Sequence, residues 1–489
     1  MILSKNQMTE EDIKLQYITP AITEKWNKDK ITMETKITDG RISLKDNVAV
    51  RGKPKKADYI LYINANNPIA IVEAKDNKHS VSHGLQQAMT YAEMLDIPFA
   101  FSSNGDGFAE HDFLTGVERE FGMDEFPTEN ELVVRYKTEI NEGNGLSDEE
   151  ETILAQPYYT SRNTYAPRYY QRIAVNRTLN AIAKGQERIL LVMATGTEKT
   201  YTAFQIVYRL LKSGLKKKVL YLADRNILVD QSISQDFKPL EKTIHKINFS
   251  KDDPTTITSH EVYFSLYQQL VGNDDEDVEV RGEEIAGRLG KLFKPNFFDL
   301  VIVDECHRGS AKKDSNWRKI LDYFSSTTQL GMTATPKETK YISNIDYFGE
   351  PVYTYSLRKF IEDVFLAPMR VINIKTIIGE GWRPLAGQCD KDGVPIEDRI
   401  YTNSDYDYNI VLEDRINEVA SEITKYLKLT GRMQKTIVFC AKEDHAERMR
   451  VALSNLNQDM VKENPDYVVR ITGSDEYGKS KLDYFISVS

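Results

Sequence analysis

The chain has 489 residues, a length that suggests about three domains. Its 40% apolar and 28% charged content is ordinary for a globular protein, and no apolar run reaches the roughly 18 residues that a membrane span needs, so we expect no membrane partner and a cytoplasmic location. Three widely spaced cysteines argue against a disulfide framework, and a net charge of −10 means that any nucleic-acid contact must come from local basic patches.

Two apolar strands are predicted near the start of the chain, and each carries an acid. Residues 57–63 begin with Asp58 after one alanine, and residues 69–75 end on Glu73 and Lys75. Glu73 and Lys75 are two residues apart, so their side chains share one face of the strand. In a hairpin Asp58 can meet Glu73 around a divalent metal ion, while Lys75 orients or activates the water that attacks a phosphate. Because such short patterns are common, a solvated strand edge is the alternative interpretation.

A helix is predicted next, with Gln87 and Tyr91 four residues apart on one face. Together with the two acids and the lysine, this pair resembles nucleases of the RecB type, in which a PD-(D/E)xK motif is followed by Gln-x-x-x-Tyr. On that resemblance residues 1–138 form a nuclease domain, and Gln87 positions the metal-bound water or the DNA end. The alternative is a surface glutamine beside a packed tyrosine.

The same region offers further acids and a cluster of positive charges. Glu10 or Glu11, in the predicted opening helix, could supply another acid, and the sequence does not choose between them. Beside a metal site the basic cluster would hold DNA phosphates, whereas elsewhere it would be a solvated charge run. Its members are Arg51, Lys53, Lys55 and Lys56.

The rest of the chain is predicted to contain an acidic linker and two α/β lobes. Residues 139–162 are the linker, and residues 163–366 alternate apolar strands with helical patterns, which is typical of a parallel sheet. An acidic insertion at 274–277 is predicted to be a solvated loop. Residues 367–489 begin a second strand–helix series, in which residues 435–440 are predicted to form a buried strand.

A segment at 194–200 follows the predicted buried strand 188–193 and resembles a phosphate loop. In such a loop successive backbone N–H groups surround phosphate oxygens at the start of a helix, a lysine adds positive charge, and a hydroxyl binds Mg²⁺. Gln171 could read the adenine edge, or it could be a surface glutamine before a helix. The predicted ATP contacts are Gln171, Thr195, Gly196, Thr197, Lys199 and Thr200, with Thr200 also a Mg²⁺ ligand.

One residue of this loop departs from the expected pattern, because Glu198 stands where a glycine is expected before the lysine. Glycine lets the backbone approach the phosphates and adopt a conformation that a side chain resists. Glutamate adds bulk and a negative charge beside the polyphosphate. We therefore hypothesise that ATP binding is weakened.

The strongest signal in the second half is the apolar run 301–303, which is followed at once by two acids. Asp304 would hold Mg²⁺, and Glu305 would activate the water that attacks ATP. Downstream, Thr333 and Thr335 resemble the motif that couples hydrolysis to the second motor lobe. Two more segments, 221–225 and 264–268, are placed where strand ends would touch a DNA backbone, or they are plain core strands with a polar end.

In this order the three motor segments resemble a superfamily 2 helicase, and the joint pattern resembles the restriction (R) subunit of type I restriction–modification enzymes. The resemblance runs over nearly the whole chain and includes 347–357, 361–368 and 470–475. The family usually has glycine where Val364 stands. The implied fold is α/β, with an N-terminal restriction-endonuclease-like mixed-sheet domain followed by tandem RecA-like parallel-sheet motor lobes, the second of them incomplete.

The resemblance also implies an activity and partners. Members of the family translocate double-stranded DNA with ATP and Mg²⁺ and then cut it, working with methyltransferase and specificity subunits. The later motifs of the second lobe are absent before Ser489. We therefore expect a fragment or a truncated gene product that cannot translocate alone.

Two other interpretations remain open at this point. A different superfamily 2 helicase with an unrelated accessory domain would explain the motor segments, but it leaves the nuclease pattern as coincidence. A non-catalytic DNA-binding or assembly module would fit Glu198 and the missing motifs. It predicts binding of duplex DNA without binding of divalent metal or nucleotide.

Overall fold

In the computed structural model the chain divides into two compact units, Met1–Pro368 and Met369–Ser489. None of the helices in the described part of the chain is long and apolar enough to cross a membrane. The structure describes residues 4–38, 42–45, 48–51, 54–64, 67–161, 166–223, 226–248, 251–254, 257–266, 269–270, 287, 289–306, 316–335, 338–339, 342–367, 371–373, 381–389, 393–402, 405–406, 413–473 and 475–486.

A mixed sheet forms the first part of the first unit. Its strands are β1 (Ile31–Thr38), β4 (Lys55–Asn64), β5 (Asn67–Ala74), β6 (Phe99–Ser103), β7 (Gly107–Asp112) and β8 (Glu118–Gly122), and a separate hairpin joins β2 (Ile42–Lys45) to β3 (Val48–Arg51). The sheet order is β1-β4-β5-β6-β7-β8, with β5 and β6 parallel and the other neighbours antiparallel.

Both faces of this sheet are covered. Successive side chains of a strand point to opposite faces, and in β4 Tyr59 and Leu61 enter one apolar cluster while Ile60 and Tyr62 enter another. The helices of this part are α1 (Glu10–Ile13), α2 (Thr19–Lys25), α3 (Leu85–Leu95), α4 (Glu129–Glu139) and α5 (Asp148–Ala155), and a π-helical turn, Lys14–Ile18, joins α1 to α2.

A parallel sheet forms the second part of the first unit. Its strands are β9 (Arg188–Met193), β10 (Val219–Ala223), β11 (Ile244–Lys246), β12 (Val262–Leu266), β13 (Leu300–Val303), β14 (Thr328–Thr333) and β17 (Pro351–Tyr355), and a small pair joins β15 (Glu338–Thr339) to β16 (Ile342–Ser343). The large sheet has the order β11-β12-β10-β13-β14-β9-β17, and its described pairings are all parallel.

Its strands are nearly continuous apolar runs because helices cover both faces of such a sheet. The helices are α6 (Tyr169–Ala183), α7 (Lys199–Ser213), α8 (Asn226–Ser234), α9 (Asn316–Tyr323), α10 (Asn344–Phe348) and α11 (Leu357–Glu362). The mixed sheet followed by a parallel sheet confirms the predicted fold class for this unit. The predicted acidic loop at 274–277 lies outside the described residues.

The segment predicted to be an acidic linker contains a packed helix. The Ser147 side chain accepts a hydrogen bond from the Glu150 backbone N–H and so caps the start of α5. Ile153 is only 2% exposed and belongs to the core of the parallel sheet. Composition indicated a linker because acids dominate the segment, but a capping box followed by an apolar residue is enough to anchor a helix.

Two carbonyl groups at the end of α5 accept hydrogen bonds from the two parts of the first unit. The Ile153 carbonyl accepts a hydrogen bond of 2.8 Å from Arg209 Nη2 of α7. The next carbonyl, that of Leu154, accepts hydrogen bonds from Asn64 Nδ2 at 2.8 Å and Asn67 Nδ2 at 3.0 Å, both in the mixed-sheet part. Two successive carbonyl groups therefore join the two sheets of the first unit.

The regular secondary structure described in the second unit is helical, apart from two isolated β-bridges, Trp382–Tyr401 and Cys389–Pro395. Its helices are α12 (Glu413–Thr430), α13 (Glu443–Leu456), α14 (Gln458–Glu463), α15 (Glu476–Ser480) and α16 (Leu482–Ile486). The predicted buried strand at 435–440 is wrong, because the described residues of this unit offer it no strand partner. Ile437 and Phe439 are 64% and 91% exposed, whereas Val438 and Cys440 are partly buried against the helical core of this unit.

Candidate functional site

Two carboxylates meet on neighbouring strands of the mixed sheet. Tyr59 of β4 pairs with Val72 of β5, and this register sets Asp58 opposite Glu73. The Asp58 backbone N–H donates to Glu73 Oε1 at 3.4 Å, and the Ala74 N–H donates to Asp58 Oδ2 at 2.8 Å. Burial, reinforced by the charge of Asp58, raises the pKa of Glu73 to about 8. The two acids thus share a site in which Glu73 is costly to ionise.

The other nuclease candidates surround Glu73. Gln87 Nε2 of α3 donates to Glu73 Oε2 at 2.7 Å, and Lys75 Nζ lies 4.0 Å from the same oxygen. Burial, together with the charge of Glu73, raises the pKa of Tyr91, whose hydroxyl also bonds the Gln87 side chain. Glu73 is only 1% exposed, so the alternative of a solvated strand edge does not fit.

The opening helix brings a lysine and two acids to the same place. Glu11 Oε1 bonds Lys14 Nζ at 2.7 Å, and the same ammonium lies 3.1 Å from Asp58 Oδ1. Glu10 is turned toward the site, since burial raises its pKa while Lys75 lowers it and Asp58 raises it. Lys14 was not predicted from the sequence, because a lone lysine in a helix gives no signal that it is buried.

The acid pair fits a small divalent cation. Among the residues that the structure describes, no group of three or more His, Cys, Asp or Glu side chains is placed to hold a metal ion. Mg²⁺ is commonly held by one or two carboxylates, with water and phosphate oxygens as the remaining ligands. Asp58 and Glu73 meet that requirement.

The basic cluster is only partly described. Lys55 and Lys56 are exposed at the start of β4, and Lys56 Nζ lies 3.8 Å from Glu34 Oε2. Arg51 ends β3, and Lys53 lies outside the described residues. The described lysines therefore lie three and two residues before Asp58, on the same strand.

A second site lies where β9 leads into α7. Thr195 and Gly196 are exposed, whereas Thr197 is buried and its hydroxyl donates to the Ala194 carbonyl at 2.7 Å. Glu198 has φ 59° and ψ 54°, the left-handed conformation, immediately before the first residue of α7. Since this conformation favours glycine, a side chain at this position strains the backbone.

The Glu198 side chain is directed toward α6. Gln171 Nε2 donates to the Thr197 carbonyl at 3.1 Å and to Glu198 Oε2 at 3.3 Å, and Arg168 Nη2 lies 3.7 Å from Glu198 Oε1. Gln171 is 1% exposed, so it is not a surface glutamine. Its amide N–H₂ instead ties α6 to the phosphate-loop segment.

The second acid pair faces this loop from the end of β13. Lys199 Nζ of α7 lies 3.2 Å from Glu305 Oε1. Tyr221 of β10 donates its hydroxyl to Asp304 Oδ2 at 2.9 Å and also bonds the Thr200 side chain. Burial, followed by the charge of Glu305, raises the pKa of Asp304 to about 6.

Tyr221 is a site residue whose role the sequence does not predict. Segment 221–225 is predicted either to touch a DNA backbone or to be a core strand with a polar end, and the Tyr221 hydroxyl is buried against Asp304 within core strand β10. Its signal was the tyrosine near the end of a strand that neighbours β13. Residues 224–225 and 267–268 of the two proposed DNA segments lie outside the described residues.

The remaining motor candidates lie at the end of β14. The Thr335 N–H donates to Thr333 Oγ1 at 3.2 Å, and the Thr333 hydroxyl donates to the Thr335 carbonyl at 3.1 Å. β14 pairs with β13, so this turn lies beside the strand that ends in Asp304 and Glu305.

Comparison with known proteins gives matches over both sheets. The family described as "Type I restriction enzyme R protein N terminus (HSDR_N)" matches residues 24–127, and "Type III restriction enzyme, res subunit" matches residues 164–338. A fragment structure of an HsdR subunit of a type I restriction enzyme from Vibrio vulnificus YJ016 is 36% identical, with a TM-score of 0.75, covering 98% of this chain and 81% of that one.

Two curated relatives come from Escherichia coli. The EcoAI endonuclease subunit is 46% identical over 99% of this chain, and the EcoKI endonuclease subunit of strain K12 is 26% identical over 88% of it. The chain spans 58% of the length of the first relative and 41% of the second.

Proposed function

This chain belongs to the family of type I restriction enzyme endonuclease (R) subunits, and on that premise we propose that it carries both the nuclease and the ATP-driven motor of such an enzyme. It cleaves phosphodiester bonds of foreign double-stranded DNA at Asp58, Glu73 and Lys75, and it binds and hydrolyses ATP at Lys199 and Glu305. The observation that carries the proposal is the convergence of the buried Glu73, the partly buried Asp58, a lysine and a glutamine in the same compact unit as the phosphate-loop segment.

In the nuclease site the chain's own residues prepare the attack on phosphorus. Asp58 and Glu73 would hold Mg²⁺, which would supply a hydroxide-like water and neutralise charge on the phosphate. Gln87 fixes the rotamer of Glu73 through its 2.7 Å hydrogen bond. Lys75, on the same side of the sheet, orients the attacking water or balances charge on the phosphate.

In the motor site Lys199 passes from Glu305 to the phosphates of ATP, because an ammonium favours the more highly charged partner. Glu305 then takes a proton from the attacking water. Thr200 and Asp304 hold the Mg²⁺ that accompanies ATP, and Tyr221 keeps Asp304 in place through its hydroxyl. Thr333 and Thr335 couple this step to the second unit.

The proposed macromolecular partners are double-stranded DNA and the methyltransferase and specificity subunits of the same system. The chain carries net charge −10, so the exposed lysines beside Asp58 provide a local attraction for the DNA backbone. An unrelated accessory domain is disfavoured as an alternative, because the R-protein N-terminus family matches residues 24–127.

The test is cleavage of plasmid DNA by the assembled complex with Mg²⁺ and ATP. We expect Lys75→Ala to reduce the cleavage rate about 10²–10⁴-fold and to leave ATP hydrolysis unchanged. The matched control is Lys78→Ala, because Lys78 is 65% exposed and pairs with Asp76 rather than with Glu73.

Full cleavage by Lys75→Ala would contradict the nuclease assignment. Loss of both activities in that variant, with normal folding, would contradict the division of labour between the two sites. Loss of cleavage in Lys78→Ala would show that removing any positive charge near the sheet impairs cleavage, which would contradict a specific role for Lys75.

A further inference from the structure

Three carboxylates form one row across the mixed sheet. The register of β1 on β4 sets Glu34 opposite Asp58, and the register of β4 on β5 sets Asp58 opposite Glu73. Side chains directly opposite each other on neighbouring strands lie about 5 Å apart, and like charges in that position destabilise a sheet. The row therefore has two spaces between neighbouring carboxylates. The first gap lies between Glu34 and Asp58 and the second between Asp58 and Glu73, and each needs a positive charge to offset the repulsion.

Lys14 fills the first gap. Its ammonium lies 2.6 Å from Glu34 Oε1, 3.1 Å from Asp58 Oδ1 and 2.7 Å from Glu11 Oε1, and the residue is only 2% exposed. It begins the π-helical turn Lys14–Ile18, a type of turn often found at functional sites. A buried ammonium is tolerated only when it is paired, and here three carboxylate oxygens surround it.

The backbone opposite Lys14 is adapted to this contact. Glu34 has φ 50°, a left-handed conformation inside a strand, which is strained and persists only when its surroundings impose it. Lys56, at 3.8 Å from the second Glu34 oxygen, adds a further charge on the outer side. The strained residue places its carboxylate on the buried ammonium.

The second gap, between Asp58 and Glu73, has a different environment. Lys75 reaches Glu73 only at 4.0 Å, and Asp58 Oδ2 accepts the Ala74 N–H. Gln87, which carries no charge, occupies Glu73 Oε2. This gap is where the proposed Mg²⁺ belongs.

We propose that Lys14 takes the place of one divalent cation, so that the nuclease site binds a single metal ion, held between Asp58 and Glu73. Lys14 is in this sense a positioning residue: it fixes Asp58 Oδ1 and leaves the carboxylate edge toward Glu73 for the metal. The inference rests on the proposed nuclease function and adds the number of metal ions to it.

The experiment counts Mn²⁺ ions bound to the full chain without nucleotide, by calorimetric titration and by the paramagnetic signal of free Mn²⁺. Subtracting the count for Asp58→Asn isolates the nuclease site. We expect a difference of one ion. A difference of two would overturn the inference and leave the proposed nuclease function intact, whereas a difference of zero would overturn both.

A substitution of Lys14 tests whether its charge is what excludes a second metal ion. Lys14→Met keeps an unbranched side chain, one atom shorter, and removes its charge, so the first gap should accept Mn²⁺ and the Asp58-dependent count should rise from one to two. Lys14→Met combined with Glu34→Gln should return the count to one. Lys30→Met, which removes a lysine paired with Glu129 in the same part of the molecule, should keep one ion.

A folded Lys14→Met variant that still binds one ion would overturn the inference. Circular dichroism establishes folding. If the variant does not fold, the count for the unaltered chain still decides between one ion and two.

Discussion

The two acid pairs of the first unit differ in how their charge is balanced. In the nuclease site the ammonium of Lys14 is buried among three carboxylates, one of which is Asp58. In the motor site the ammonium of Lys199 pairs with Glu305 at 3.2 Å, and its side chain is 9% exposed at the edge of a loop. The first ammonium is thus surrounded by more carboxylates and is more deeply buried than the second. This difference fits the proposed roles, a resident metal ion at the first site and a nucleotide that binds and leaves at the second.

The largest expected difference between the sites lies in their pH dependence. The pKa of Glu73 rises from 4.5 to about 8, and that of Asp304 from 3.8 to about 6. Between the lower and upper value the folded protein keeps a proton that the unfolded chain releases, so stability is lost as pH rises through that range. Of these two acids, only Glu73 still contributes to the loss of stability above pH 6.

We therefore expect the unaltered chain to lose stability relative to Glu73→Gln between about pH 6 and 8, by at most about 1.4 kcal/mol per pH unit. Relative to Asp304→Asn, the loss should be confined to lower pH. The measurement is urea unfolding from pH 5 to 8 in the presence of a chelator. Parallel curves for the unaltered chain and Glu73→Gln would show that the nuclease acids are not the more strongly perturbed pair.

A smaller effect should follow from removing the hydroxyl group that is hydrogen-bonded to Asp304. Tyr221→Phe removes the hydroxyl that donates to Asp304 at 2.9 Å in a fully buried setting, and it should cost about 1–2 kcal/mol of stability. It should also raise the pKa of Asp304, because the lost hydrogen bond lowers that pKa. Urea unfolding and Mg-ATP titration across pH 5–7 check both effects.

The matched control is Tyr62→Phe, in the mixed sheet, where the hydroxyl lies 3.4 Å from Thr32 Oγ1 at a part-buried position. We expect a change below about 0.5 kcal/mol. Equal costs for the two tyrosines would mean that the Tyr221 hydroxyl does not support Asp304 specifically.

The smallest effect concerns the phosphate-loop segment. Glu198→Gly relieves a left-handed glutamate and removes a negative charge near the proposed phosphates, so we expect about 1 kcal/mol of added stability. Affinity for Mg-ATP should increase about fivefold, the equivalent of ~1 kcal/mol. Glu198→Gln separates the causes, because it keeps the strain and removes only the charge. Equal affinities in all three proteins would refute our hypothesis that Glu198 weakens ATP binding.

The sequence was most informative where a motif demands a particular backbone. Glycine was expected at the positions of Glu198 and Val364, and the structure gives these residues φ 59° and φ 69°. At Glu198 the expected glycine predicted a backbone conformation that a side chain resists, and Glu198 adopts it; at Val364 the family's usual glycine fits the same conformation. The strands that end in acids could also be predicted from the sequence, because apolar runs ending in carboxylates indicate buried strands with functional ends.

Contacts between distant parts of the chain could not be predicted from the sequence in the same way. Lys14 reaches Asp58 across 44 residues, and Tyr221 reaches Asp304 across 83. Nothing in the local pattern of either partner indicates which side chain arrives from elsewhere. The error at 435–440 has the same origin, since an apolar run predicts burial only if neighbouring strands cover it.

The bonded end of α5 has a mechanical consequence. Helix α7 begins with Lys199 at the phosphate-loop segment and carries Arg209 ten residues later, about 15 Å along its axis. Arg209 holds the Ile153 carbonyl, and the adjoining Leu154 carbonyl holds Asn64 and Asn67 of the nuclease sheet. A displacement at the loop would therefore be carried along this helix and through two neighbouring carbonyl groups to the mixed sheet, so the proposed nuclease part would move together with the proposed motor part.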